Sequence, residues 1–363
     1  MGAQVIEKML IVHQGAIGDF ICCLPALRCF RRALPSVHIT LLGYPTVLEI
    51  ALKRYYANAV LSVDRADMAF LYQEKRELST ALRRLFEGFQ RIGVFGHKES
   101  PLIRNLVKLM GSAVVAIPPF PPPGRRIHMV EHALSLPRAM GFSVRREPPR
   151  LHLLAKDRHE ATAFLRGHGV TTDGLVITIH PGSGSRGKMW PLDRFLALAD
   201  ALTAAHEAQI LFVLGPGEEG IKGLFLKMIR RKAPVVLDSL PLPLLGAILE
   251  RSHVFVGNDS GISHMAAAVD VPVVALFGPT DTAVWVPLGR KVTLIQRSLP
   301  CSPCNRKTMA RCDHRDCLLG ISVNEVFWAV SRVIKRRDKR PFGDRAQCPI
   351  PNREPGPVAL SFP

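Results

Sequence analysis

What this chain lacks narrows it first. No apolar run in its 363 residues reaches the roughly 18 to 20 that a helical membrane span needs. The N-terminus has neither the basic flank nor the apolar core of a secretory signal, so a cytoplasmic protein is expected. The order G-x-x-x-x-G-K-[ST] is absent, which excludes a P-loop. Eight cysteines, two of them adjacent at Cys22 and Cys23, make no disulfide framework in a chain this long and suit a reducing compartment. Aromatic residues are few at 7%, and they are not interleaved with the basic residues of 297–345 as a nucleic-acid surface would have them.

Hydrophobic residues make up 47% of the chain, ample for a packed interior, and the length favours two domains. Charge is lopsided: 48 Lys and Arg stand against 30 Asp and Glu, a net +18. Residues 1–172 carry 24 basic against 13 acidic side chains (+11), and 173–363 carry 24 against 17 (+7). The segment "KRRDKRPFGDR" (335–345) supplies +4 of the second figure. Such a balance fits nucleic acid, an anionic membrane face or an acidic substrate.

"MLIVHQ", "VHITLLG", "AVLSVD" and "RIGVFG" read as short buried strands, separated by helical stretches at 21–34 and 74–90. That alternation implies a parallel sheet with crossover helices. "IPPFPPPGRR" (117–126) reads as a loop, because proline lacks a donor and fixes φ. A second series starts near residue 173, where "LVITIHPG", "QILFVLGPG", "HVFVGNDSG" and "VPVVALFGP" are strands, each ending in glycine or a small polar residue where the chain turns. Two Rossmann-like domains follow, 1–160 and 173–335, with a break in 145–172 and a disordered Pro-rich, basic tail at 338–363. Ligands in such sheets bind beyond the carboxyl ends of the strands, so two sheets facing each other make an interdomain cleft.

Four turns carry candidate chemistry. In "HPGSGSRGKMWP" (180–191) backbone N–H groups, Ser183, Ser185 and Lys188 can converge on an anion. In "GNDSGISHMAAA" (257–268) Asp259, Ser260 and Gly261 sit where a helix opens, its N–H groups and positive dipole end facing the cleft, with His264 one turn on. A diphosphate is the natural ligand; a plain N-cap and a core histidine are the alternative. "LGPGEEG" (214–220) places Glu218 and Glu219 where an acid accepts ribose hydroxyls, or where the helix dipole favours one. In "GAIGDF" Gly15 and Gly18 let the backbone approach the cleft, and Asp19 sits as either an N-terminal cap or a base positioned to take a proton.

"GAIGDFICCLPAL", "HPGSGSRGKMWPLDRF" and "GNDSGISHMAAAVDVPVVALFGPTD" (257–281), in this order, resemble glycosyltransferase family 9, the lipopolysaccharide heptosyltransferases and their relatives, over about residues 8–335. The resemblance implies an inverting GT-B enzyme. It implies Asp19 as general base, Lys188 as phosphate-binding lysine with Ser183 and Ser185 beside it, and Asp259, Ser260, Gly261 and His264 as the D-[ST]-G-x-x-H nucleotide-sugar motif. Glu218 or Glu219 stands as the ribose acid. His13 and Gln14 occupy positions where the family commonly has a basic residue. The implied donor is a nucleoside-diphosphate sugar, ADP-heptose first among them, and the implied acceptor an anionic glycolipid of the lipopolysaccharide core at the inner leaflet of the membrane. No D-x-D pair occurs, so no obligatory catalytic metal and no cofactor are expected, nor nucleic acid as partner, and the expected state is a monomer.

Two other readings stay open: a GT-B-like nucleotide-sugar epimerase or hydrolase, and a basic zinc module that binds nucleic acid. The second rests on Cys301, Cys304, Cys312 and Cys317, spaced C-x2-C-x7-C-x4-C. The first pair has metal-ligand spacing but no second C-x-x-C follows, so a structural zinc, a disulfide and four reduced thiols compete.

Overall fold

The computed structural model describes residues 6–73, 78–171, 173–228 and 234–338. The expected disordered tail lies outside the described residues beyond position 338. Two parallel sheets carry the fold. The first holds β1 (Lys8–Val12), β2 (His38–Gly43), β3 (Ala59–Ser62), β4 (Arg91–Phe95) and β5 (Val114–Ile117) in the order β3-β2-β1-β4-β5. The second holds β6 (Val176–His180), β7 (Gln209–Leu214), β8 (Val235–Asp238), β9 (Val254–Asn258), β10 (Val273–Phe277) and β11 (Val292–Gln296) in the order β11-β10-β9-β6-β7-β8. This is a doubly wound α/β architecture twice over.

Central strands read as unbroken apolar runs because both faces are covered. β6, β9 and β10 are buried at every residue, whereas the edge strand β3 is only half-buried. Successive side chains go to opposite faces. Leu10 and Val12 pack into one apolar cluster over the first sheet, and Ile177 and Ile179 into another over the second. Met9 and Ile11 of β1 share a third cluster with Phe255 of β9 and Ala275 of β10, so the two sheets have one core in common.

That shared core runs along the helix Ile17–Ala33. It buries Phe20, Ile21, Leu24, Leu27 and Phe30, tolerates Pro25 in its interior, and ends at Leu34, just before Pro35 cannot continue it. Arg31 and Arg32 fall in its last turn, where the dipole favours cations. The helix packs on Gly261–Ala268 from the second sheet. A Cβ on Gly261 would lie 2.9 Å from the Gly18 amide nitrogen, and one on Gly18 would lie 3.3 Å from Gly261 Cα. Only glycine at both positions lets the starts of these two helices touch.

Further ties hold the halves together. The helix Ala155–Gly167 packs on Leu242–Arg251 of the second half, and its buried Asp157 takes both oxygens to Arg54 of the first, at 2.8 and 2.9 Å. Glu49 accepts from the Leu242 amide at 2.8 Å. On the cleft side Arg126, from the Pro-rich segment after β5, makes a two-pronged pair with Asp281 after β10, at 2.7 and 2.8 Å.

Candidate active site

Every candidate turn leaves the carboxyl end of a strand. After β1 the chain keeps pairing through the His13 amide, then releases into Gly15 and the helix start. His13 is buried against the rings of Phe20 and Phe95, and its Nδ1 accepts from the Gly15 amide at 3.3 Å. Burial pushes its pKa down to about 4, so it is neutral near pH 7 and supplies no cation there. A Cβ on Gly15 would come within 2.8 Å of Asp19 Cβ, which makes that glycine the condition for folding Asp19 back over the loop. Asp19 is the third residue of its helix, and its Oδ2 accepts from the Ala16 amide at 3.0 Å. The side chain is thus oriented by the helix start and remains partly exposed at the cleft.

On the second sheet the turn after β6 is bound to the turn after β9 by Asn258. Its Nδ2 donates to the carbonyls of Pro181 and Gly182 at 2.8 and 3.2 Å, and its Oδ1 accepts from the Trp190 amide at 2.9 Å. Ser183 Oγ donates to the Asp259 carbonyl at 2.7 Å, a second clamp between the same turns. Lys188 is thereby carried to Asp259, Nζ to Oδ2 at 2.9 Å. Asp259 is buried, and among the described residues its Oδ2 has no hydrogen-bond partner of good geometry, so charge alone compensates it. Ser260 caps the next helix by accepting from the Ser263 amide at 3.3 Å. Ser185 is half-buried in the intervening turn.

Two motif residues sit under this surface rather than on it. His264 is buried, with Nδ1 3.7 Å from Cys22 Sγ of the first half and a backbone hydrogen bond to Trp285. Burial holds its pKa near 4 against the pull of Asp259, so it is a neutral link between the halves. Glu218 is buried too: its Oε2 accepts from the Gly215 amide at 2.8 Å, and a Cβ on Gly182 would fall 2.0 Å from its Oε1. His180 faces it at 3.9 Å with its pKa lowered, burial outweighing the glutamate. Glu219 is exposed at the head of the following helix, which leaves it as the accessible acid of the two.

The chain belongs to glycosyltransferase family 9. The profile described as "Glycosyltransferase family 9 (heptosyltransferase)" matches residues 106–312, more than half of the chain. Lipopolysaccharide heptosyltransferase 3 of Escherichia coli is 31% identical over 114 residues, 31% of this chain and 33% of that protein. The match thus spans about a third of the relative's length. Among solved structures, the family 9 glycosyltransferase of Veillonella parvula superposes with a TM-score of 0.76 at 18% identity, covering 93% of this chain and all of that one. The ADP-heptose lipopolysaccharide heptosyltransferase II of E. coli gives 0.70 at 17%, covering 91% and 99%. The two-sheet architecture is the GT-B fold.

Within this family fold, Asp19, Lys188, Asp259, Ser260 and Gly261 gather where the two helix starts meet, with Gly15 and Gly18 shaping the first of them. Asn258, His180 and Arg126 are additions that the sequence reading did not single out. Asn258 had a signal, a polar residue closing the apolar run "VFVG"; Arg126 had none beyond the charge count.

The four late cysteines cluster beside the Lys188 turn. Cys304 and Ser302 bond to the carbonyls of Pro279 and Gly278 through backbone and side chain respectively, at 2.7 and 3.1 Å, and Met309 fills the space over Gly187. Burial, then Cys304, Cys312 and Cys301, push the Cys317 thiol above its ordinary pKa. Cys317 is turned into the core while Cys301 is exposed, and Cys304 Sγ leans on the Cys301 carbonyl at 3.1 Å. Among the described residues no group of three or more His, Cys, Asp or Glu is placed to hold a metal ion.

Proposed function

We propose that this chain moves a sugar, a heptose in the first place, from a nucleoside-diphosphate sugar to a hydroxyl of an anionic lipopolysaccharide-core glycolipid, inverting the anomeric carbon. The observation that carries the reading is the meeting of two helix N-termini, one from each sheet, at Gly18 and Gly261, with Lys188 and Asp259 beside it and Asp19 in the first turn of the first helix. Helix N-termini and an ammonium favour anions, and here they converge from both halves.

In the reaction, the Asp19 carboxylate takes the proton of the acceptor hydroxyl as its oxygen bonds to the anomeric carbon from the face opposite the diphosphate. The bond from that carbon to the phosphate oxygen breaks, its electron pair leaving with the diphosphate. Lys188 and the N–H groups at Gly261 meet the charge that builds there. In this reading Ser185 meets the phosphates and exposed Glu219 the ribose. The surplus of +11 in residues 1–172 suits an anionic acceptor and a membrane surface that presents it. Among the described residues no helix is long and apolar enough to cross a membrane, and we place the protein on the cytoplasmic face of the inner membrane, as a monomer.

The test is a screen of nucleoside-diphosphate sugars by thermal stabilisation, followed by transfer to de-acylated core oligosaccharide with the product's anomeric configuration read by NMR. ADP-heptose is expected to stabilise most and the product linkage to be inverted. A retained linkage would overturn the mechanism. Consumption of donor without any acceptor would move the chain to the hydrolase or epimerase reading.

A further inference from the structure

Three neighbouring strands of the first sheet, β3, β2 and β1, each present one side chain at their carboxyl ends that neither the core nor the diphosphate site uses. Tyr44 follows β2 directly, Tyr72 ends the turn Ala66–Tyr72 that follows β3, and Gln14 lies two residues past β1, in the same loop as Asp19. Both tyrosines are large and exposed, Tyr44 at 42% and Tyr72 at 38%. Both lie past the carboxyl ends of the strands, the side of the sheet from which the chain leaves β1 towards Asp19.

The Tyr72 ring and the Tyr44 backbone are held. The Gln14 side-chain amide donates to the Tyr72 hydroxyl, tying the ring to the loop that carries Asp19. The Tyr44 carbonyl accepts from the amides of Val47 and Leu48, each at 3.0 Å, and Pro45 opens that short helix. A Cβ on Gly43 would lie 2.0 Å from the His13 carbonyl oxygen, so β1 and β2 are pressed together just before Tyr44. The register that pairs Val12 with Leu42 runs on through the His13 amide to the Leu42 carbonyl, which brings Gln14 level with Tyr44 past the ends of β1 and β2.

We propose that Tyr44, Tyr72 and Gln14 form the subsite that receives the acceptor sugar. A pyranose ring has an apolar C–H face and a polar rim, and a tyrosine offers a flat apolar face with a polar tip. The nucleotide belongs with the second sheet, whose turns carry Lys188 and Gly261, which leaves this platform on the acceptor side. Holding the Tyr72 ring in place beforehand reduces the cost of ordering it on binding. The inference rests on the transferase reading given above.

The experiment compares wild type with Tyr44→Ala, Tyr72→Ala and Tyr72→Phe, using ADP-heptose and de-acylated core oligosaccharide as probes. Nucleoside diphosphate affinity, read by calorimetry, serves as the check on folding because it is a property of the other sheet. Each alanine variant is expected to raise the acceptor KM about tenfold, the upper end for an aromatic contact, with nucleoside diphosphate affinity unchanged. Tyr72→Phe keeps the ring, loses only the bond to Gln14, and stays within about threefold. Alanine variants that keep the wild-type acceptor KM overturn the subsite and leave the transferase reading standing. A wild type that binds nucleoside diphosphate and transfers to no oligosaccharide overturns that reading, and this assignment with it.

Discussion

Lys188→Ala tests the centre of the site, because the lysine has two separable jobs. Its ammonium lies 2.9 Å from Asp259 Oδ2, and the two side chains are 28% and 6% exposed. Removing the ammonium leaves a buried carboxylate oxygen that has no hydrogen-bond partner among the described residues. Breaking a fully buried pair costs about 3–5 kcal/mol, but water reaches this lysine, so about 1–2 kcal/mol is the expected loss, nearer the cost of one unsatisfied group. For a chain of this size that lowers Tm by about 1–3 °C. Nucleoside diphosphate affinity should fall about tenfold, the low end for a charge-assisted bond, since Asp259 already shares the ammonium. Asp259→Asn separates the jobs: it frees the ammonium and removes a nearby negative charge, so nucleoside diphosphate should bind more tightly than to wild type. In the double variant the stability losses should be less than additive, a coupling that thermal unfolding of the four proteins measures directly. Calorimetry at about 0.15 M salt, where exposed charges are screened, supplies the affinities. If Lys188→Ala melts with wild type and binds nucleoside diphosphate equally well, Lys188 is a surface lysine and the anion site is elsewhere.

Asp19→Asn should leave donor affinity within about twofold and lower turnover by roughly a hundredfold or more, the scale of a lost general base; full turnover removes Asp19 from the chemistry. His13 and His264, each held near pKa 4 by burial, cannot take up protons that the unfolded chain binds below about pH 6.5. Their contribution is therefore complete above pH 6.5 and is lost as the pH falls towards 4, on the order of 3 kcal/mol each, and a urea midpoint that is flat between pH 6.5 and 4.5 would contradict it. Arg126→Ala removes the two-pronged tie to Asp281 across the cleft; because the arginine is mostly exposed, global stability should barely change, while proteolysis of the 118–128 segment should quicken. Protein purified without added metal should show four titratable thiols in the 301–317 segment under native reducing conditions and a zinc-to-protein ratio near zero by elemental analysis; a ratio near one would mean that metal reorders Cys301 and Cys317.

The fold was legible where strands are central and turns are glycine-rich. β1, β2, β4, β6, β7, β9 and β10 are apolar runs that end in glycine or a small polar residue, and burial on both faces writes that signal. β5, β8 and β11 were missed: like β3, which "AVLSVD" did reveal, they are short, partly exposed edge strands, whose apolar content is diluted. The segment 117–126 read correctly as lacking regular structure from position 118 on, where proline forbids it, while Ile117 closes β5. Its partner across the cleft could not be read, since nothing local to Arg126 encodes an approach to a residue 155 positions away.

The site divides along the same line. Asp19, Lys188 and Gly261 follow from strand-end geometry, which is local. His264 and Glu218 had the right motif positions for ligand contact, yet the fold uses them beneath the surface, as a neutral link to Cys22 and as a cap on the Gly215 amide. A sequence cannot separate those roles, because a side chain that touches a ligand and one that supports the turn touching it carry the same spacing. Burial separates them. Glu218 is bonded to the Gly215 amide and packed under Gly182, against the turn that positions Lys188. Replacing it should therefore disturb nucleoside diphosphate binding through the shape of the 180–190 turn, whereas Glu219, exposed one residue later, can be changed with the turn intact.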